Sequence, residues 1–218
     1  PEPGKAYTVA FYNVENLFDT YDDPKIQDED FLPSNKERSW TEERYQEKLK
    51  NLAEVISKLG DEDGPELLGV CEVENKAVLE ALVAEKSIKA RNYGIVHFES
   101  ADGRGIDNAL LYKKDHFQVT KATNYVVSFP MEPNYDTRDI VLVRGELLGQ
   151  PMALLVNHWP SRRGGEEESE GRRLLVASKV RAIVEQLQKE DASLPIIIMG
   201  DFNDEPHNQS IQKVLLAK

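Results

Sequence analysis

Ile196-Ile197-Ile198-Met199-Gly200-Asp201-Phe202-Asn203-Asp204 carries an apolar run straight into acids and amides, with a single glycine at the switch. A short, continuous, largely β-branched run suits a strand buried on both faces, as in a sheet covered on both sides. Its polar end then presents reactive groups at the rim of that sheet. The plan recurs along the chain. Leu67–Cys71 ends in Glu72, Ala153–Val156 ends in Asn157-His158, and Tyr7–Phe11 leads into Asn13-Val14-Glu15. Ile95–Phe98, Ala109–Tyr112, Val126–Phe129 and Ile140–Val143 complete the predicted strands. Arg104, Asp107 and Asn108 stand just before Ala109–Tyr112, where an antiparallel strand presents them on the same rim. Ile140–Val143 and Ala153–Val156, joined across Gly145 to Pro151, read as an antiparallel hairpin.

Helices are interspersed with these strands. Tyr45, Leu49, Leu52, Ile56 and Leu59 recur at helical spacing, with Thr41 as N-cap, Glu42 and Glu43 in the first turn, Trp40 and Tyr45 as a hydrophobic staple, and Gly60 as the stop. A second helix is predicted from Arg172 to Glu190, with Val176, Val180, Ile183, Val184 and Leu187 on one side. Asp19 to Asn35 and Arg162 to Gly171 read as long surface loops. The pattern predicts a mixed-sheet α/β layered protein.

Composition narrows the function classes. The chain has 218 residues, 27 Lys and Arg against 39 Asp and Glu, and a formal charge of −12. Its 40% hydrophobic content is that of a globular chain. No apolar run approaches the roughly 18–20 residues that a membrane span needs. The single cysteine, Cys71, excludes an internal disulfide framework and a multi-cysteine zinc site, and its apolar surroundings predict a buried small hydrophobe. The acidic balance opposes electrostatic tracking along nucleic acid. A phosphate substrate is still compatible if a divalent cation bridges it.

If the strand ends cluster, one rim holds Asn13, Glu15, Glu72, His158, Asp201 and Asn203. Carboxylates and amides with one imidazole are hard ligands that suit Mg²⁺ or Mn²⁺. Metal-assisted phosphoester hydrolysis is the reaction class that this set supports. Singly, each residue also has a plainer role: Glu72 as a helix-initiating acid, His158 as a structural histidine beside Trp159-Pro160, Asp201 and Asn203 as turn formers, and Asn13 as a turn cap.

Their joint order carries a resemblance. Phe11-Tyr12-Asn13-Val14-Glu15-Asn16-Leu17-Phe18, Gly69-Val70-Cys71-Glu72-Val73-Glu74-Asn75, Val156-Asn157-His158-Trp159-Pro160-Ser161-Arg162 and Met199-Gly200-Asp201-Phe202-Asn203-Asp204 resemble the endonuclease/exonuclease/phosphatase superfamily, the deoxyribonuclease I-like fold. Asp107-Asn108 and Thr137-Arg138-Asp139-Ile140 resemble its bacterial branch. The resemblance implies a four-layer α/β sandwich, with two mixed β-sheets face to face and helices outside. It implies Glu72 as principal metal ligand with Glu15 beside it, Asn13 positioning metal-bound water and a second-shell partner, and His158 donating to the scissile phosphate or leaving oxygen. Asp201 is then the acid that activates water and Asn203 an amide donor. Asn13, Asn108 and Arg138 are substrate contacts by the same resemblance, with a plain surface arginine as the alternative for Arg138.

The family normally places a Ser-Asp-His segment downstream of Gly-Asp-Phe-Asn, whereas this chain stops at Lys218. The expectation is a single domain over 1–218 that is C-terminally incomplete, lacking its last strands and part of the catalytic set. Asp115-His116 precedes Asp201 and reads as a strand-connecting turn, and His97 and His207 match no motif. The expected function is a divalent-metal-dependent phosphodiesterase of nuclease type, acting as a monomer on a phosphoester, with nucleic acid as one such substrate. Phospholipid or inositol-phosphate hydrolysis and a non-catalytic binding protein are the alternatives. Because the chain opens at Pro1, an export signal would already be gone, and a secreted or periplasmic location is expected ahead of a cytoplasmic one.

Overall fold

The computed structural model describes residues 6–60 and 63–217. Eight strands form two four-stranded sheets. The first contains β1 (Val9–Leu17), β2 (Leu67–Val73), β3 (Tyr93–His97) and β4 (Asp107–Lys113), in the order β1-β2-β4-β3. The second contains β5 (Phe117–Tyr125), β6 (Ile140–Leu147), β7 (Gln150–His158) and β8 (Ile196–Asp201), in sequence order. Each sheet is mixed. β1 runs parallel to β2 and β7 parallel to β8, and the other pairings are antiparallel. The predicted β6–β7 hairpin is present, with Leu147 paired to Gln150 around a tight turn.

The apolar patterning explains the layers. Leu67, Leu110, Val141, Val143, Leu154, Val156 and Met199 form a core between the sheets. α1 (Glu42–Ile56) and α2 (Lys76–Val83) pack Leu49, Ile56, Leu79 and Leu82 on the outer face of the first sheet. α3 (Glu166–Glu190) packs Val176, Val180, Ile183 and Leu187 on the outer face of the second. The result is the four-layer sandwich, and it explains why β2 and β7 are apolar on both faces.

Local signals hold where a single interaction dictates them. Thr41 Oγ1 accepts from Arg44 N at 3.4 Å and starts α1. Asn75 Oδ1 accepts from Val78 N at 3.0 Å and starts α2, so Glu72 lies outside that helix and belongs to the strand end.

Two local expectations are corrected. Val126–Phe129 is not a strand. It is an extended connection whose Val127 and Phe129 pack with Val176 and Ile140, and the edge strand is the more polar Phe117–Tyr125. Arg162 to Gly171 is only partly loop, because α3 starts at Glu166. Gly165 and three successive glutamates look loop-like in sequence, yet Glu166, Glu167 and Glu168 suit the positive end of a helix macrodipole.

Candidate active site

The parallel strand pairs decide where the chemistry sits. β1 and β2 end together, with Asn13 paired to Cys71, and β7 and β8 end together, with His158 paired to Asp201. β1 and β8 are edge strands that contact each other across the sandwich. Four strand ends from two sheets therefore converge. Asn13 Nδ2 donates to Glu72 Oε1 at 3.1 Å and to Asp201 Oδ2 at 3.2 Å. His158 Nε2 lies 3.8 Å from that same glutamate oxygen and 3.9 Å from that same aspartate oxygen. Residues separated by up to 188 positions thus share one polar cluster.

The backbone is bent to achieve this. Glu15, Asn16, Glu72 and Asn203 all have positive φ, between 51° and 64°. Irregularities in pairing fall between Asn13 and Leu17 and between Cys71 and Val73. A non-glycine residue in this region costs about 1 kcal/mol or more, and bulges re-aim side chains at such points. Gly200 has φ 156°, and a Cβ built there falls 2.3 Å from Asn157 O, so the chain passes too close to β7 for any side chain.

Supporting bonds fix the loop after β8. Asn203 N donates to Asp201 Oδ1 at 3.0 Å, and Asn203 Nδ2 donates to Trp159 O at 3.0 Å. Asn157 is fully buried, donating to Leu155 O and Met199 O while accepting from Trp159 Nε1. Asp204 pairs with Arg173 of α3 at 2.7 Å, both side chains only 1% exposed. Motif reading marks Asp204 but not its pairing with Arg173, because the salt bridge spans 31 positions.

Electrostatics set the protonation state of the histidine. Burial, reinforced by the charges of Arg138 and Arg104, pushes His158 down to about 2, so its imidazole is neutral at ordinary pH. Burial also lowers Lys48, opposed by the carboxylates of Glu15 and Glu72, and Lys48 Nζ donates to Glu15 O at 2.5 Å. Cys71 is buried, and burial pushes its thiol up, which matches an inert core position.

Asn13, Glu72, His158 and Asp201 are brought together, and Asn203 joins them through Trp159. Glu15 stands further out, exposed, with its N–H bonded to Asn13 Oδ1 at 2.9 Å. Asn108 and Arg138 are 2% and 4% exposed. Asn108 Nδ2 donates to Asp139 O at 2.7 Å. The surface-arginine alternative for Arg138 is therefore removed, because its guanidinium donates to Asp102 Oδ2 at 3.0 Å and to Trp159 O at 2.7 Å. Asp115-His116 sits in the β4–β5 turn at the opposite rim, with His116 Nδ1 3.4 Å from Glu66.

Two clefts meet at Asn13. One, of about 340 Å³, runs toward Trp40 and Lys48 of the α1 side. The other, of about 510 Å³, is lined by Phe11, Arg162 and the Asp201–Glu205 loop. The donor set fits a hard divalent cation in kind, since Glu15 and Asp201 line these clefts, Glu72 lies 3.1 Å from the Asn13 amide that both clefts share, and the only thiol is buried. Mg²⁺ needs only one or two protein carboxylates, so Glu72 with Glu15 suffices in kind. Among the described residues, the group of three donors close enough to share an ion lies elsewhere on this rim, at His97, Glu99 and Asp107. There His97 Nε2 is 3.0 Å from Asp107 Oδ2. Sequence reading missed that group because its members sit on two strands and the loop between them.

Residues 8–218 match the Endonuclease/Exonuclease/phosphatase family, and the chain belongs to it. The fold agrees with solved structures. An endonuclease/exonuclease/phosphatase family protein from Bacteroides thetaiotaomicron superposes with a TM-score of 0.63 at 16% identity, over 93% of this chain and 65% of that one. A mannosyl-6-phosphatase from the same organism gives 0.63 at 18% identity, over 95% of this chain and 69% of that one. A truncated TDP2 from Caenorhabditis elegans gives 0.59 at 19% identity, over 80% and 61%. The chain thus spans less than two thirds of the length of two of these three structures. No curated protein sequence matches it significantly. Among the described residues, no helix is long and apolar enough to cross a membrane.

Proposed function

We propose that this chain is the scaffold of a divalent-metal-dependent phosphoesterase, and specifically a phosphodiesterase of nuclease type. The observation that carries the reading is the meeting of Asn13, Glu72, His158 and Asp201 at one rim, two residues from each sheet. Glu72 would hold Mg²⁺ or Mn²⁺, with the exposed Glu15 further out as the second carboxylate. When bound, the cation supplies Lewis acidity that polarises a phosphoryl oxygen and offsets charge on the leaving oxygen.

The remaining work belongs to the chain's own side chains. Asn13 fixes the separation of Glu72 and Asp201 by donating to both. Asp201 accepts a proton from the attacking water, and its Oδ1 bond to Asn203 N keeps it oriented. His158, kept neutral by burial and two arginines, donates from Nε2 to a phosphoryl oxygen. Asn203 contributes a further amide, and Asn108 and Arg138 brace the rim beneath the substrate. A bridging cation also reconciles a −12 chain with an anionic substrate.

Hydrolysis of bis(p-nitrophenyl) phosphate with Mg²⁺ or Mn²⁺ tests this. Turnover is expected, and it should be lost on chelation and in Glu72→Gln. Turnover that survives both controls would refute the assignment. Turnover of a phospholipid or an inositol phosphate but not of a dinucleotide would keep the chemistry and replace the nuclease reading. Metal-dependent stabilisation with no turnover on any of these would favour the binding-protein alternative.

A further inference from the structure

Beside the polar cluster lies a separate cavity of about 260 Å³ that shares none of the four clustered residues. Its wall carries Arg104, Arg138, Arg163 and Arg172. Such a concentration of guanidinium groups is unexpected in a chain of net charge −12. Asp102 and Asp136 also face the cavity. Asp102 pairs with Arg138 at 3.0 Å and with Arg104 at 3.2 Å, a single carboxylate between two cations. Arg172 is clamped by Glu132 and stacked 4.0 Å over the Tyr135 ring. Arg163 is exposed, and no described residue pairs with its guanidinium. Four guanidinium groups thus face the three carboxylates of Asp102, Asp136 and Glu132, an excess of one positive charge.

A second observation is independent of that count. Arg138 is 96% buried by difference from its 4% exposure, and its Nε has no hydrogen-bond partner among the described residues. A buried guanidinium with an unused donor is costly unless a ligand or water completes it. The cavity is also tied to the reaction rim. Trp159 O, one residue after His158, accepts from both Arg138 and Asn203. Ser161, two residues further on, lines the cavity.

We propose that this arginine-lined cavity is an anion subsite that takes a second, terminal phosphoryl group of the substrate, so that the preferred substrate is a phosphoester bearing another phosphate beside the scissile one. The proposal rests on the phosphoesterase reading above. Phosphate suits the wall better than carboxylate, because a terminal phosphoryl group carries close to two negative charges and accepts from several guanidinium groups at once. Arg138 is the fixed positive charge at the base, Arg104 and Arg163 are the exposed donor arms, and Asp102 holds Arg104 and Arg138 at a set spacing.

Two measurements separate this proposal from the reading beneath it. The first is a titration of the wild-type chain with inorganic phosphate in metal-free buffer, following arginine Nε–H signals by NMR. Millimolar binding is expected, weakened about 10-fold in Arg163→Gln and again in Arg104→Gln, both exposed positions. The second compares a thymidine dinucleotide with its 5′-phosphorylated and 3′-phosphorylated forms, with Mn²⁺ present. One phosphorylated form should be preferred about 10-fold in kcat/KM, and that preference should vanish in Arg163→Gln. Absence of phosphate binding, binding indifferent to Arg163 and Arg104, or equal kcat/KM for all three dinucleotides would overturn the subsite. No hydrolysis of any dinucleotide would overturn the nuclease-type reading instead, and the phosphate titration would still decide the subsite.

Discussion

Replacing Asp204 by Asn tests whether α3 holds the reaction loop in place. Arg173 is completely buried, and its Nε meets Asp204 Oδ1 at 2.7 Å. Its other donors reach only neutral acceptors, Ser169 Oγ and Glu166 O. Asparagine preserves the shape and an acceptor oxygen, and the Ser210 hydroxyl that donates to Asp204 can rotate to accept from the new amide. The substitution thus removes charge while keeping most hydrogen bonds, and leaves a guanidinium buried without a counter-ion. Breaking a buried pair in this way costs about 3–5 kcal/mol, and the retained hydrogen bonds favour the lower end. At a urea slope of about 2 kcal/mol per molar, that moves the unfolding midpoint down by about 1.5 M. The double variant Asp204→Asn/Arg173→Met should recover part of the loss, since the orphaned cation is gone. A midpoint shift below about 0.3 M, or strictly additive losses in the double variant, would refute the argument that this ion pair anchors the loop.

Other outcomes follow from the same geometry. Asn13→Ala should lower kcat/KM of the diester reaction about 100-fold, with circular dichroism unchanged, because the amide holds two carboxylates in relation. A loss confined to KM would argue for simple substrate contact. Gly200→Ala should destabilise by about 1–3 kcal/mol in urea unfolding, because its Cβ meets a backbone oxygen that cannot yield. Glu66 is buried, which by itself raises its pKa, but the Thr8 N–H and Lys113 outweigh this and hold it below the ordinary value. Its contribution is therefore present above the ordinary glutamate value of 4.5 and is lost as pH falls below it. Wild type should lose stability more steeply than Glu66→Gln in that acid range, and parallel pH profiles would contradict this.

Much of this arrangement was legible before any coordinate. The strand ends at Asn13, Glu72, His158 and Asp201 stand out because buried apolar runs stop abruptly at polar groups, a local signal that the sheet simply realises. Helix α1 was equally readable, since Thr41 and the Tyr45–Ile56 stripe depend on neighbours a few residues away. What stayed hidden depends on distant partners. Phe117–Tyr125 is too polar to look like a strand because it lies at an edge, while Val127 and Phe129 are apolar because they pack into the cluster beneath α3. The start of α3 was masked by glycines and glutamates whose preference for a helix N-terminus is electrostatic rather than periodic. Arg173, Arg138 and Lys113 look like surface cations in sequence. Only their carboxylate partners, tens of positions away, permit their burial.

The order of the strands along the chain has a further meaning. Among the described residues, those up to Lys113 build the first sheet and those from Phe117 build the second, with no strand exchanged between them. Asn13 and Glu72 come from the first half, His158 and Asp201 from the second. Neither half holds the whole cluster. The molecule is in effect two pieces joined at a turn around Asp115, each carrying two of the four clustered residues. Under the proposed function, a chain severed at that turn should be silent as separate fragments and regain turnover only on reassembly, because the cluster exists only where the two sheets meet.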